Sequence, residues 1–205
     1  ASVSRLSLGR KLQELALAVD AMQTAGQVHG DIKPGNVLVS AEGLKLIDGL
    51  QLDPGMPSPA LTPGWAAPEQ VMADGVTATT DQFPVGLMLL AMVNGVLFGE
   101  ETNIVVPSGG TATTRHTIFR SPMVYIDSDS GIVPREDVRA WAILIERCLR
   151  FAPQDRFPSA ADLAGEIEQL LNRNSLGGKC TFPLNFGRVD ELEANDGERP
   201  PCWMV

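Results

Sequence analysis

Apolar positions recur every three or four residues in several parts of the chain, and this spacing predicts amphipathic helices. The first predicted helix covers about residues 8–25, with Leu12, Leu15 and Val19 on its apolar face. Gly26 stands where the carboxy-terminal cap of this helix is expected. Two further stretches with helical spacing occur at residues 141–149 and 163–171. The pattern therefore predicts a mainly α fold.

The most hydrophobic stretch, residues 85–93, is apolar on all sides rather than on one face. A helix of this kind has to be surrounded by protein, so we expect it to form the centre of the domain. Asp81 precedes this helix, and Pro84 falls in its first turn, where a missing backbone N–H costs little. Ser159 and Asp162 have the spacing of a capping box in front of the last predicted helix.

Two short β-rich runs, residues 37–39 and 44–47, are separated by a Gly-containing stretch of the length typical of a hairpin loop. Residues 49–68 are rich in Pro and Gly, so no regular element is expected there, and residues 98–134 are similarly irregular. We predict one mainly helical domain over residues 1–173 with a small hairpin and a long loop. An irregular, weakly ordered tail over residues 174–205 follows it.

Composition narrows the range of partners. Among the 205 residues, 16 Lys and Arg stand against 25 Asp and Glu, which gives a net charge of −9. Such an acidic surface repels phosphate backbones and argues against nucleic acid as a partner. Three scattered cysteines predict neither a disulfide scaffold nor a zinc cluster and favour a cytoplasmic location. The longest apolar run is too short to cross a bilayer, so membrane insertion is not expected.

The residues that carry candidate chemistry cluster at the edges of the predicted hairpin. Asp31, Lys33 and Asn36 precede its first strand, and Asp48 follows its second strand. Carboxylate and amide oxygens suit a hard cation such as Mg²⁺, and Lys33 offers a charge for a phosphoryl group. A solvated turn contains the same residue types, so the residues alone leave both interpretations open.

Five stretches, taken together, resemble the landmarks of protein kinases in the family's order. Residues 29–36 resemble the catalytic loop His-Arg-Asp-x-Lys-Pro-x-x-Asn, with Gly30 in place of Arg. Asp48 resembles the Asp of Asp-Phe-Gly, and residues 62–69 resemble the Ala-Pro-Glu close of the activation segment. Residues 81–86 and 148–156 resemble later helical landmarks. The resemblance covers about residues 8–171, matches bacterial serine/threonine kinases, and corresponds to the carboxy-terminal lobe alone.

The resemblance implies a role for each matching residue. Asp31 would orient a protein hydroxyl and accept its proton, and Lys33 would contact the γ-phosphate of ATP. Asn36 and Asp48 would hold Mg²⁺ on the nucleotide phosphates. Thr62 would hydrogen-bond to Asp31 and Lys33, a feature associated with serine/threonine specificity.

Four other residues would have structural roles. Glu69 and Arg156 would form an ion pair that ties the activation segment, residues 48–69, to the helical part of the domain. Asp81 would accept hydrogen bonds from the backbone of the catalytic loop, although a plain helix cap is an equally natural interpretation. His29 is expected to be a packed structural histidine.

Departures from the family pattern leave the activity open. The Gly-rich loop and the strand Lys belong to an amino-terminal lobe, which we expect to be encoded upstream or in a partner. Asp-Phe-Gly is altered to Asp48-Gly49-Leu50, and Gly30 removes the Arg that binds a phosphorylated loop. The main hypothesis is a serine/threonine kinase acting on proteins, with this chain inactive alone. The alternatives are a catalytically inactive kinase-like scaffold (a pseudokinase) or, third, a phosphotransferase resembling aminoglycoside or choline kinases.

Overall fold

The computed structural model describes residues 3–40, 43–94, 126, 133–173, 179–180 and 187–188. Five α-helices lie within these ranges, and their positions agree with the predicted mainly α fold. In chain order, the helices and strands are β1 Val3–Ser4, α1 Arg5–Thr24, β2 Val37–Ser40, β3 Gly43–Leu46, α2 Pro68–Met72, α3 Gln82–Asn94, α4 Arg135–Cys148, α5 Ala160–Asn172, β4 Lys179–Cys180 and β5 Gly187–Arg188.

Helix α1 begins three residues earlier than the apolar pattern indicates, because Ser4 caps it. The Ser4 hydroxyl accepts a hydrogen bond from the Ser7 amide at 3.1 Å. The helix ends as expected, with Ala25 as its cap and Gly26 at a φ of 73°, a left-handed conformation that glycine adopts without strain.

Helix α3 is the centre of the domain, as its uniform hydrophobicity predicts. All of its residues through Val93 are buried except Leu90, which is partly buried. It packs against α1 on one side and α4 on the other. At the second contact, a Cβ placed on Gly86 would lie 2.5 Å from the Cβ of Cys148, so only glycine permits this close approach. Within the described ranges, no helix has both the length and the apolar character needed to cross a membrane.

Helix α5 closes the other side of α1, and its capping box forms as predicted. The Ser159 hydroxyl accepts from the Asp162 amide at 3.0 Å, and the Asp162 carboxylate accepts from the Ser159 amide at 3.2 Å. Helices α1 and α5 approach so closely that a Cβ on Gly9 would meet Leu171 at 2.5 Å.

The predicted hairpin is present, with Val37 opposite Leu46 and Ser40 opposite Gly43. Its first strand has an additional neighbour, because β5 pairs with β2 in parallel. Strands β4 and β5 lie within residues 174–205, where the sequence pattern predicts only an irregular tail. Each has two residues, too few to show an alternating pattern. Most of the irregular stretch predicted at residues 98–134 lies outside the described residues.

Candidate functional site

The segment that joins α1 to β2 carries the candidate catalytic residues. Asp81, at the start of α3, holds this segment in place: its Oδ2 accepts from the His29 amide at 2.7 Å and its Oδ1 from the Gly30 amide at 3.0 Å. Burial raises the pKa of Asp81, although these two amide hydrogen bonds oppose the shift. The expected contact between Asp81 and this loop is therefore present. Asp31 is the next residue in the chain after Gly30.

Asp31 is the centre of a compact hydrogen-bond network. Its Oδ1 accepts from the Thr62 hydroxyl at 2.6 Å, and its Oδ2 accepts from Lys33 Nζ at 2.8 Å and from Asn36 Nδ2 at 3.0 Å. Lys33 Nζ also donates to the Thr62 hydroxyl at 2.9 Å. The Asp31 side chain remains 20% exposed, so its carboxylate is fixed by neighbours yet open to a hydroxyl group from outside.

His29 is a buried structural residue, as expected from the sequence. Its Nδ1 accepts from the Asp31 amide at 3.3 Å, and its Nε2 lies 3.0 Å from the Ile47 carbonyl oxygen. A neutral ring with the proton on Nε2 satisfies both contacts. The ring also explains Gly49, because a Cβ at that position would lie 2.9 Å from His29 Cδ2. A larger residue after Asp48 would require His29 to move.

The two candidate metal ligands lie at the same end of the hairpin. The Ile47 amide donates to the Asn36 carbonyl at 3.0 Å. Asp48 is the next residue after Ile47, so its backbone lies close to that of Asn36. Asp48 is exposed and has a φ of 55°, outside the conformations of a regular strand. The Asn36 Nδ2 donates to Asp31, and among the described residues none donates a hydrogen bond to its Oδ1.

The donor set suits Mg²⁺ only in the presence of phosphate. In the described ranges, no three His, Cys, Asp or Glu residues are grouped so that they could hold a metal ion alone. One carboxylate and one amide oxygen make an incomplete shell for most cations. Mg²⁺ typically takes one or two protein ligands together with phosphate oxygens and water, and the pair Asn36 and Asp48 fits that pattern.

The activation segment, residues 48–69, is held by backbone hydrogen bonds. Val28 and Leu52 exchange two such bonds, at 2.8 and 2.9 Å. Farther along, the Gly55 amide donates to the Val76 carbonyl at 2.7 Å, and the Val76 amide donates to the Met56 carbonyl at 2.8 Å. None of these contacts involves a charged side chain, so they form without a phosphate group.

At its end, the activation segment is joined to the helical part of the domain by Glu69 and Arg156. Both N–O distances of this pair are 2.7 Å, and the expected ion pair is therefore present. The Thr80 hydroxyl also donates to Glu69 at 2.8 Å, and Arg156 donates through Nε to the Arg150 carbonyl. Asp31 is not among the described hydrogen-bond partners of either residue, so the pair positions the segment rather than a reacting group.

One contributing residue was not identified from the sequence. Gln70 follows the Ala-Pro-Glu motif and is buried inside α2, a five-residue helix that the apolar pattern did not predict. Its side-chain amide donates to the Gly30 carbonyl at 2.7 Å. Its place directly after the Ala-Pro-Glu motif was the one signal in the sequence that could have drawn attention to it.

Comparison with known proteins decides the family. The family model described as the protein kinase domain matches residues 2–172. The chain belongs to the protein kinase family. The resemblance to bacterial serine/threonine kinases is confirmed, and kinases of this family use ATP and Mg²⁺.

The relatives are larger than this chain. Serine/threonine-protein kinase PksC of Streptomyces coelicolor is 27% identical over 164 residues, which are 75% of this chain and 27% of PksC. Serine/threonine-protein kinase PknK of Mycobacterium tuberculosis is 27% identical over 192 residues, 89% of this chain and 16% of PknK. The crystal structure of the Mycobacterium tuberculosis PknI kinase domain matches with a TM-score of 0.55 at 20% identity. The match covers 83% of this chain and 57% of the PknI chain. This last likeness supports the fold.

Proposed function

We propose that residues 1–173 are the carboxy-terminal lobe of a serine/threonine protein kinase and that residues 174–205 are an appended tail. Together with an amino-terminal lobe, this lobe would transfer the γ-phosphoryl group of ATP to a hydroxyl group of a protein. The network around Asp31 carries the proposal, because it fixes a carboxylate, an ammonium group and a hydroxyl group in one accessible place. The 57% coverage of the PknI kinase domain is in keeping with one lobe.

Each side chain has a task in this reaction. Asp31 would orient the acceptor hydroxyl and take its proton as the oxygen bonds to the γ-phosphorus, while the bond from that phosphorus to the bridging oxygen breaks and ADP leaves. Lys33 places a positive charge beside the phosphoryl group, and Thr62 holds Lys33 and Asp31 together. Asn36 and Asp48 would hold Mg²⁺, which neutralises phosphate charge when it is bound.

The test replaces Asp31 by Asn in the full-length gene product and measures transfer of labelled phosphate from ATP to a protein. The variant loses the proton acceptor but keeps the size of the side chain, so the rate is expected to fall by about 10²- to 10⁴-fold. Asp53→Asn is the matched control, because Asp53 is exposed and lies outside the Asp31 network. Equal rates for the Asp31→Asn variant and the unsubstituted protein would refute the proposal.

An inactive kinase-like scaffold is the second candidate, and Gly49 favours it. The close contact between Gly49 and His29 leaves no room for the Phe that kinases place after this Asp. Without that apolar side chain, the contact that normally joins the two lobes is weakened. A full-length gene product that binds a protein partner but transfers no phosphate from ATP would support the scaffold.

A small-molecule phosphotransferase is the third candidate, favoured by the sequence His29-Gly30-Asp31. The contacts of Lys33 with Asp31 and Thr62 instead favour a protein kinase, since Thr62 belongs to the segment that protein kinases use for their substrates. The same labelled-phosphate assay with an aminoglycoside and with choline as acceptors separates the two activities.

A further inference from the structure

Gln70 uses its whole side-chain amide to connect three segments of the chain. Its Nε2 donates to the Gly30 carbonyl at 2.7 Å and to the Ser58 hydroxyl at 3.2 Å. Its Oε1 accepts from the Ala67 amide at 3.0 Å. The residue is buried, so these three partners take the place of water. Gln70 thus contacts the catalytic loop, the middle of the activation segment and the start of α2.

The contact with Gly30 determines the orientation of one peptide unit. The carbonyl of Gly30 and the amide of Asp31 belong to the same planar group. Gln70 holds its oxygen, and His29 Nδ1 accepts from its N–H at 3.3 Å. Gly30 has a φ of 79° and no side chain of its own to hold it, so these contacts replace the restraint that a larger residue would provide.

We propose that Gln70 is a positioning residue that fixes the orientation of Asp31. Through its contact with Ser58, Gln70 also makes this orientation depend on the conformation of the activation segment. This inference rests on the proposed kinase function for its catalytic consequence, but its structural consequence can be measured independently. The connection consists of neutral hydrogen bonds. It therefore joins the activation segment to the catalytic loop without the phosphate-to-arginine contact that Gly30 makes impossible.

Amide hydrogen exchange of the full-length gene product tests the structural consequence. Gln70→Met keeps the volume and the helix preference of the residue but removes all three hydrogen bonds. Exchange in the segment of residues 29–36 is expected to become about tenfold faster, the factor for loss of a buried hydrogen bond. Gln169→Met makes the same change at an exposed position of α5 and should leave that segment unchanged.

Gln70→Glu distinguishes the effect of the hydrogen bond to Gly30 from the effect of the volume of the side chain. The carboxyl group can still accept from Ala67, and when protonated it can also donate to the Gly30 carbonyl. Gln70 is 5% exposed, and burial disfavours the charged form of a carboxyl group, so a Glu placed there should keep its proton to a higher pH than an exposed Glu. Exchange of residues 29–36 in this variant, relative to the unsubstituted protein at the same pH, should therefore be faster at pH 8 than at pH 6.

Kinetics test the catalytic consequence. For Gln70→Met, kcat of phosphoryl transfer is expected to fall about tenfold, while KM for ATP changes less than about twofold, because Asp31 acts on the acceptor side. Exchange rates equal to those of the unsubstituted protein in both Gln70 variants would overturn the inference, as would an unchanged kcat in an active enzyme. If Gln70→Met does not fold, the pH dependence of Gln70→Glu decides. An unsubstituted protein without activity would instead refute the proposed function, and the exchange result would still stand.

Discussion

Arg156 donates two parallel hydrogen bonds to Glu69, from Nη1 to Oε1 and from Nη2 to Oε2, each 2.7 Å long. The side chain of Arg156 is 0% exposed and that of Glu69 is 4% exposed, although the two residues are 87 positions apart in the chain. A planar guanidinium and a carboxylate match in this geometry, which removes both charges from water at once. The pair is therefore a specific link between the end of the activation segment and the turn before α5.

Removal of one partner should be costly. In Arg156→Ala, the Glu69 carboxylate stays buried with the Thr80 hydroxyl as its remaining described partner, and the free energy of unfolding is expected to fall by about 3–5 kcal/mol. Urea denaturation measures the loss. Arg173→Ala is the control, because Arg173 is 56% exposed and lies 3.7 Å from Asp137, where an ion pair contributes at most about 1 kcal/mol. Equal losses in the two variants would contradict the importance of the buried pair.

The hydroxyl group of Thr62 should matter more than its methyl group. Thr62→Val keeps the shape of the side chain but removes the hydrogen bonds to Asp31 and Lys33. If the proposed reaction occurs, kcat is expected to fall about tenfold, because Asp31 and Lys33 lose their shared partner. Thr62→Ser retains the hydroxyl group and should remain within about threefold of the unsubstituted protein. Comparable activity of the Val and Ser variants would show that the contact has no catalytic effect.

Phosphorylation of the activation segment should not be required for activity. Gly30 leaves no guanidinium group beside Asp31 to pair with an added phosphate. The backbone contacts of Gly55 and Met56 with Val76 already hold the segment. Treatment of active full-length protein with a phosphatase should therefore leave its activity within about twofold, the scatter expected when no ordering contact is lost. Loss of activity after this treatment would show that a phosphate group orders the segment.

The buried thiol of Cys148 should make the free energy of unfolding depend on pH in the alkaline range. Burial raises the pKa of Cys148 from 9.0 to about 12, because the thiolate is not solvated between α3 and α4. Above pH 9 the unfolded thiol ionises while the folded one stays protonated, so the free energy of unfolding falls by about 1.4 kcal/mol per pH unit. Cys148→Ala should lose less stability between pH 9 and pH 10.5. Parallel curves for the two proteins would contradict the raised pKa.

The predictable part of the fold is the part with a repeated local pattern. The apolar spacing of α1, the uniform apolar character of α3 and the capping box of Ser159 each need only neighbouring residues to be recognised. Helix α2 has five residues, which is less than two turns. Strands β4 and β5 have two residues each, too few to show an alternating pattern. Their positions depend on contacts with distant segments, which local spacing does not report.

The candidate site depends still more on distant contacts. Thr62 is 31 residues from Asp31, and spacing alone gives no reason to bring them together. Resemblance to kinase motifs predicted that contact, as it predicted the one between Glu69 and Arg156. The Ala-Pro-Glu motif quoted from the resemblance ends at Glu69 and does not include Gln70, whose contact with the Gly30 carbonyl joins residues 40 positions apart. The catalytic and metal-binding roles of Asp31, Lys33, Asn36 and Asp48 stay predictions until the variants are measured.

A polypeptide of residues 1–205 alone is expected to bind ATP–Mg²⁺ weakly and to show no measurable phosphoryl transfer. Its metal side consists of Asn36 and Asp48, one amide oxygen and one exposed carboxylate, which need phosphate oxygens to complete a Mg²⁺ shell. Lys33 is already engaged by Asp31 and Thr62. The Gly-rich loop and strand Lys that fix the adenine end of the nucleotide in kinases are not among these 205 residues.

Calorimetric titration with ATP–Mg²⁺ measures this directly. Without the Gly-rich loop and strand Lys, the nucleotide loses its freedom of motion for few contacts, so a Kd near or above about 1 mM is expected. The full-length gene product is the matched control, and Asp48→Ala in it should weaken the binding of the metal–nucleotide complex. A micromolar Kd for residues 1–205 alone would contradict the argument, because it would require that residues within this chain cover the nucleotide and replace the missing lobe.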